Sequence, residues 1–174
     1  GALMGIRVKV LGLSARGNHP DLGFLRLLEA MGAEVKIDSD GVSVGGGDLK
    51  GIEMEVADMP DSVPALAVLG AFAQGETVIK GIGHLRYKES DRIQAITQGL
   101  TAMGIEVEAS EGQLRIKGGC PRPALIDSHN DHRIAMAFAM ASLRVPGLMV
   151  SNPECVAKSF PDFWQVFSRI KEGL

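Results

Sequence analysis

The chain has 174 residues, a net charge of −3, 45% apolar residues and only 5% aromatic ones. A body of this length buries most of what its unfolded form exposes, so one globular unit with a sizeable core is expected. The weak negative charge and the shortage of stacking side chains argue against a nucleic-acid binder and point to small ligands.

In chain order, residues 1–4 read as a cloning remnant, and the start GALMG lacks the basic and long apolar regions of a signal peptide. A strand is predicted over Val8 to Leu11, followed by an amphipathic helix carrying Leu22, Leu25 and Leu28 at helical spacing and closed by Gly32 as a left-handed cap. His19 reads as an isolated loop residue. Two short strands follow in MGAEVKIDSDGVSV, and Gly45-Gly46-Gly47 reads as a hairpin or turn, since it opens no helix and lacks phosphate-loop spacing. Val63 to Ala73 contains no charge and is rich in alanine, which suits a helix surrounded by protein. A strand at Val78 to Lys80 then leads to a helix carrying Ile93, Ile96, Leu100 and Met103, capped by Gly104. A second strand pair lies in MGIEVEASEGQLRI. It is followed by a second uncharged helix at Ile134 to Leu143, a strand at Leu148 to Val150 and a terminal amphipathic helix with Phe163, Val166, Phe167 and Ile170.

These elements recur. MGAEVKIDSDGVSV at residues 31–44 returns as MGIEVEASEGQLRI at 103–116, and the segment from Asp61 is echoed from Asp131, so one unit repeats about every 70 residues. Each unit is a strand, an amphipathic helix, two strands and a buried helix. The chain opens on the strand that should follow a buried helix, so residues 5–174 are expected to form one domain incomplete at its N-terminal side.

Charge gathers where helices begin: DMPDS before Val63, KESDR before Ile93, SHNDHR before Ile134 and CVAKSFPDF before the terminal helix. Helix N-termini carry unpaired N–H groups and partial positive charge, so Lys88, Arg92, Arg133 and Lys158 there build sites for polyanions. Basic residues oppose the dipole at that end, and a repeated local cost suggests function. Taken singly, Asp61, Asp91 and Asp131 fit ordinary N-caps or first-turn acids. By spacing alone, Lys88, Glu89 and Arg92 fit a surface ion-pair cluster on one helix face. His129 and His132, with Asp127 and Asp131 nearby, lack a zinc-ligand pattern and have an arginine beside them, so no metal is expected.

The order DMPDS, LRYKESDRI, NDHRIAMAF, CVAKSFPDFW resembles the 5-enolpyruvylshikimate-3-phosphate synthases (3-phosphoshikimate 1-carboxyvinyltransferases), from about residue 5 to the C-terminus. The resemblance implies an α/β fold of repeated βαβαββ units, an inside-out barrel with buried helices and outer sheets. It also implies that this chain is most of one domain with three repeats, with a partner domain of the same protein absent. Transfer of the enolpyruvyl group of phosphoenolpyruvate to shikimate 3-phosphate, with release of phosphate, is the activity implied. On that resemblance Arg92, Arg133 and Lys158 match phosphoenolpyruvate-binding positions, and Asp61 and Lys88 match positions that hold the shikimate ligand. Asp61 is then the candidate base at the hydroxyl, and Glu89 matches a residue assigned to proton transfer at the methylene carbon. Asp131 and His132 rank second, as does His84, which stands where some relatives carry a polar shikimate contact.

No cofactor, nucleic-acid or membrane partner is expected. Cys120 and Cys155, far apart and without CxxC spacing, suggest neither zinc nor disulfide and fit a reducing cytoplasm. The isolated chain is expected to be inactive with half of the cleft missing. Two other readings stay open: the related transferase that acts on a UDP-amino sugar, against which KESDR and NDHR speak, and a non-catalytic repeat domain that binds anions.

Overall fold

Hydrophobic pattern decides which elements of this molecule lie inside. The computed structural model describes residues 1–13 and 22–173, so the predicted loop residue His19 lies outside the described residues. In chain order the elements are β1 (Val8–Leu11), α1 (Leu22–Ala30), β2 (Glu34–Ile37), β3 (Gly41–Gly45), β4 (Glu53–Glu55), α2 (Val63–Phe72) and β5 (Glu76–Lys80). They continue with α3 (Arg92–Ala102), β6 (Glu106–Ser110), β7 (Gln113–Lys117), β8 (Leu125–Ile126), α4 (His132–Ser142), β9 (Met149–Val150) and α5 (Phe163–Glu172).

The strands form three small sheets, ordered β1-β3-β2, β4-β5-β7-β6 and β8-β9. The β4-β5 and β8-β9 pairs are parallel, because in each case a buried helix, α2 or α4, crosses between the two strands. Within the four-stranded sheet the two-residue period separates the faces. Leu114 and Ile116 are buried, while the alternate residues Arg115 and Lys117 pair with Glu76 and Glu106 on the outer side.

The helices fill the interior. Every side chain from Val63 to Ala71 except Ala65 is buried in α2, and Ile134, Ala135, Ala137, Phe138, Ala139 and Ala141 are buried in α4. The expected uncharged helices are therefore interior ones, and the sheets lie outside them, an inside-out α/β fold. The segment β4-α2-β5-α3-β6-β7 is one complete βαβαββ unit. The strands β4 and β8, which precede the buried helices, escaped the reading of the unit along the chain. They are three and two residues long, too short to show an alternating pattern.

Gly32 and Gly104 end α1 and α3 with φ of 99° and 78°, the left-handed conformation expected of them. Gly46 and Gly47 do not turn the chain: the reversal between β2 and β3 comes earlier, and the two glycines are needed for contact instead. A Cβ at Gly46 would sit 2.1 Å from the Gly5 Cα, and one at Gly47 would sit 2.0 Å from the Gly32 carbonyl oxygen. Close approach also brings α3 onto α4, where a Cβ at Gly99 would lie 2.4 Å from the Phe138 ring. With α2 packed against both, the N-terminal ends of α2, α3 and α4 lie side by side. Beyond them α5 lays Phe163 and Phe167 over Ala135, Ala139 and Val156, while Val166 remains exposed.

Candidate active site

The four charged motifs converge at these helix starts. Asp61 lies in a 3-10 turn, Pro60–Ser62, just before α2; Lys88, Glu89 and Ser90 lie between the turn Gly83–Tyr87 and α3; Asp131, His132 and Arg133 open α4; and Lys158 ends the turn Pro153–Lys158.

Arg92 is the centre of the group. It is the first residue of α3, yet its side chain is only 3% exposed, because two carboxylates from the starts of α2 and α4 enclose it. Its Nε donates to Asp131 Oδ2 at 2.7 Å and its Nη1 donates to Asp61 Oδ1 at 2.8 Å. The other Asp61 oxygen lies 2.9 Å from Arg133 Nη2, so one carboxylate bridges two guanidinium groups from two helices. These pairs offset the cost of placing cations at positive helix ends.

Local spacing mispredicted these partners. Arg92 pairs neither with Glu89 nor with any group on its own helix face, and Asp61 is not a cap, since α2 begins without a side-chain cap bond. Asp91 does cap α3 by accepting from Gln94 N. Asp131 caps α4 by accepting from Arg133 N at 2.9 Å and holds Arg92 at the same time. Ser90, absent from the expected set, donates to Asp131 Oδ2 at 3.2 Å. The only signal available was its place inside KESDR.

Glu89 faces a lysine and a histidine. Oε1 accepts from Lys158 Nζ, and Oε2 lies 2.8 Å from His132 Nδ1 in a contact that lacks hydrogen-bond geometry. Lys88 is exposed and acts on Asp61 through space. His84 is exposed and makes no hydrogen bond to the cluster among the described residues, and His129 contacts Gln98 Oε1 instead. Ligand atoms of Glu89, Asp131 and His132 come within 4.8 Å of one another, but Arg92, the α4 N-terminus and Lys158 already occupy the carboxylate oxygens. A divalent cation would have to displace those charges, so the set does not fit a metal.

Burial pushes the three carboxyl groups up, and their cationic partners outweigh it. For Asp61 these are Arg92, Arg133 and Lys88, for Glu89 they are Lys158 and His132, and for Asp131 the Arg92 bonds dominate. All three end below the ordinary carboxylate range. A depressed folded-state pKa contributes stability above the ordinary carboxylate pKa of about 4, and that contribution is lost as pH falls through the depressed values. Stability measured by urea denaturation is thus expected to hold from neutrality to about pH 5 and fall steeply below about pH 4. A flat profile down to pH 3 would contradict this picture.

Among known proteins, the sequence model described as EPSP synthase (3-phosphoshikimate 1-carboxyvinyltransferase) matches residues 1–167, a span that includes the four residues read as a cloning remnant. The 3-phosphoshikimate 1-carboxyvinyltransferase of Syntrophobacter fumaroxidans is 45% identical over 98% of this chain and 41% of its own length. That of Thermococcus kodakarensis is 43% identical over 99% of this chain and 43% of its own length. An EPSP synthase structure from Acinetobacter baumannii superimposes with a TM-score of 0.83 at 35% identity, over 95% of this chain and 42% of that one. The enolpyruvyl transferase NikO from Streptomyces tendae gives 0.80 at 27% identity, over 97% of this chain and 40% of that one. The chain therefore spans about two fifths of the length of the curated relatives it matches.

Proposed function

Because this chain belongs to the EPSP synthase family, we propose that it forms one wall of a 3-phosphoshikimate 1-carboxyvinyltransferase. The observation that carries the reading is the convergence of Arg92, Arg133 and Lys158 with Asp61 and Glu89 at one set of helix starts. Phosphoenolpyruvate and shikimate 3-phosphate bring two phosphates and two carboxylates into one cleft, which demands several fixed cations and groups that move protons.

In this reading Arg92, Arg133 and Lys158 hold phosphoenolpyruvate, and Lys88 and Asp61 hold shikimate 3-phosphate. The shikimate hydroxyl oxygen adds to C2 of phosphoenolpyruvate as Asp61 takes the hydroxyl proton, and C3 gains a proton from Glu89. The tetrahedral adduct then loses inorganic phosphate, which carries off the proton taken up by Asp61, and a C3 proton, which Glu89 recovers, leaving the enol ether. Asp131 positions Arg92, and His132 orients Glu89.

The opposite wall of the cleft belongs to a partner domain of the longer protein, so the 174-residue chain is not expected to turn over. The same reading makes this domain incomplete at its N-terminal side. An apolar groove of about 260 Å³ supports that view, lined by Val8, Val10 and Val44 of the first sheet, Val68 of α2 and Met140 of α4. Repeat symmetry puts a third uncharged helix there, packed on β1 and β3 as α2 packs on β5 and β7.

NikO shows the fold in an enolpyruvyl transferase of a different name, so the fold leaves the acceptor open. Phosphate release by the longer protein, given phosphoenolpyruvate with shikimate 3-phosphate or with UDP-N-acetylglucosamine, decides it. Release with the shikimate acceptor alone is expected. Release with the sugar alone would reassign the acceptor, and none with either would favour a non-catalytic anion-binding domain.

A further inference from the structure

Asp61 and Asp131 both hold Arg92, but they are held very differently themselves. The Asp131 side chain is fully buried and accepts from Arg92, Ser90 and the Arg133 backbone, so moving it would break the start of α4. The Asp61 side chain is 47% exposed, sits on a short turn, and among the described residues bonds only to Arg92 and Arg133. It can rotate outward without uncapping a helix.

Its two oxygens touch one guanidinium each, at 2.8 and 2.9 Å, which is the bridging geometry that a phosphate or carboxylate ligand would adopt between the same two groups. With Asp61 in place, Arg92 has almost no surface left to offer. Arg133 Nε is meanwhile buried without an acceptor among the described residues. Lys88 also acts on Asp61 through space.

We propose that Asp61 is a built-in counter-anion: it occupies the oxyanion seat between Arg92 and Arg133, and it must leave that seat before an anionic ligand can enter. The proposal rests on the reading of these arginines as the anion-binding pair. It couples binding to chemistry, because the anion that takes the arginines also releases Asp61 to accept a proton.

Sulfate is a suitable probe, since its charge stays constant near neutral pH, and calorimetric titration of the longer protein reads its affinity. If the seat is filled nine tenths of the time, Asp61→Asn should tighten sulfate binding about tenfold. Asp61→Ser, which also shortens the side chain, should behave alike. Asp91→Asn removes the same charge from a carboxylate that touches Arg86 and the α3 backbone instead, and should change affinity by no more than about twofold. Unchanged or weaker binding by both Asp61 variants would overturn the proposal. So would an equal gain from Asp91→Asn, since the effect would then be only through-space charge. The anion-site reading fails separately, if Arg133→Ala leaves sulfate binding intact in the Asp61→Asn background. Absence of sulfate binding in every variant would overturn both.

Discussion

Asp131→Asn is expected to destabilise the protein by about 3–5 kcal/mol, the cost of leaving one member of a buried ion pair without its partner. The carboxylate is fully buried and the Arg92 side chain nearly so, so solvent screening offers little relief. Asparagine can still cap α4 through its oxygen, but its NH2 group would then face a guanidinium that only donates. Among the described residues Asp61 would remain as the one counter-charge paired with Arg92, itself half-exposed. For a chain of this length a loss of that size lowers the melting temperature by about 10 °C. Urea denaturation of the wild type and the variant checks it, and a difference under about 1 kcal/mol would mean that Asp131 does not carry the Arg92 anchor.

Glu89→Gln, made in the longer protein, is expected to lower kcat by about 10²–10⁴-fold with little change in KM, the signature of a lost general acid or base. Glutamine keeps the shape of the side chain and removes the proton-carrying group. Glu89 is held low, with burial opposed by Lys158 and His132. Lys158 is also a candidate ligand for phosphoenolpyruvate, so an anion that draws it away lets Glu89 hold a proton more readily. Exchange of the phosphoenolpyruvate methylene protons with deuterated solvent gives a readout that a structural role would not move, and it should slow in parallel with kcat. A variant that keeps kcat within about threefold would remove Glu89 from the proton path.

The local features of this molecule were legible because each depends on residues near one another in the chain. The absence of charge in VPALAVLGAF and in IAMAFAMA marked α2 and α4 as interior helices. The 70-residue recurrence predicted that one architecture is used again, and β1, β5 and β9 do stand in equivalent places before α1, α3 and α5. Gly32 and Gly104 marked helix ends, since only the left-handed conformation closes those helices. Pairing over a few residues is not pairing in space, however. By spacing alone KESDR fits an ion-pair cluster within itself, whereas Arg92 reaches Asp61 and Asp131, 31 and 39 residues away.

The sequence alone therefore determined the repeating unit, which helices are buried, and which motifs carry the charge, because periodicity and propensity act along the chain. Only the tertiary structure decided that Asp61 bridges two arginines, that Asp131 is both cap and anchor, and that Ser90 supports it. Those roles exist because the close packing of α2, α3 and α4 brings together three helix starts that lie far apart along the chain, and no single stretch of chain contains that geometry.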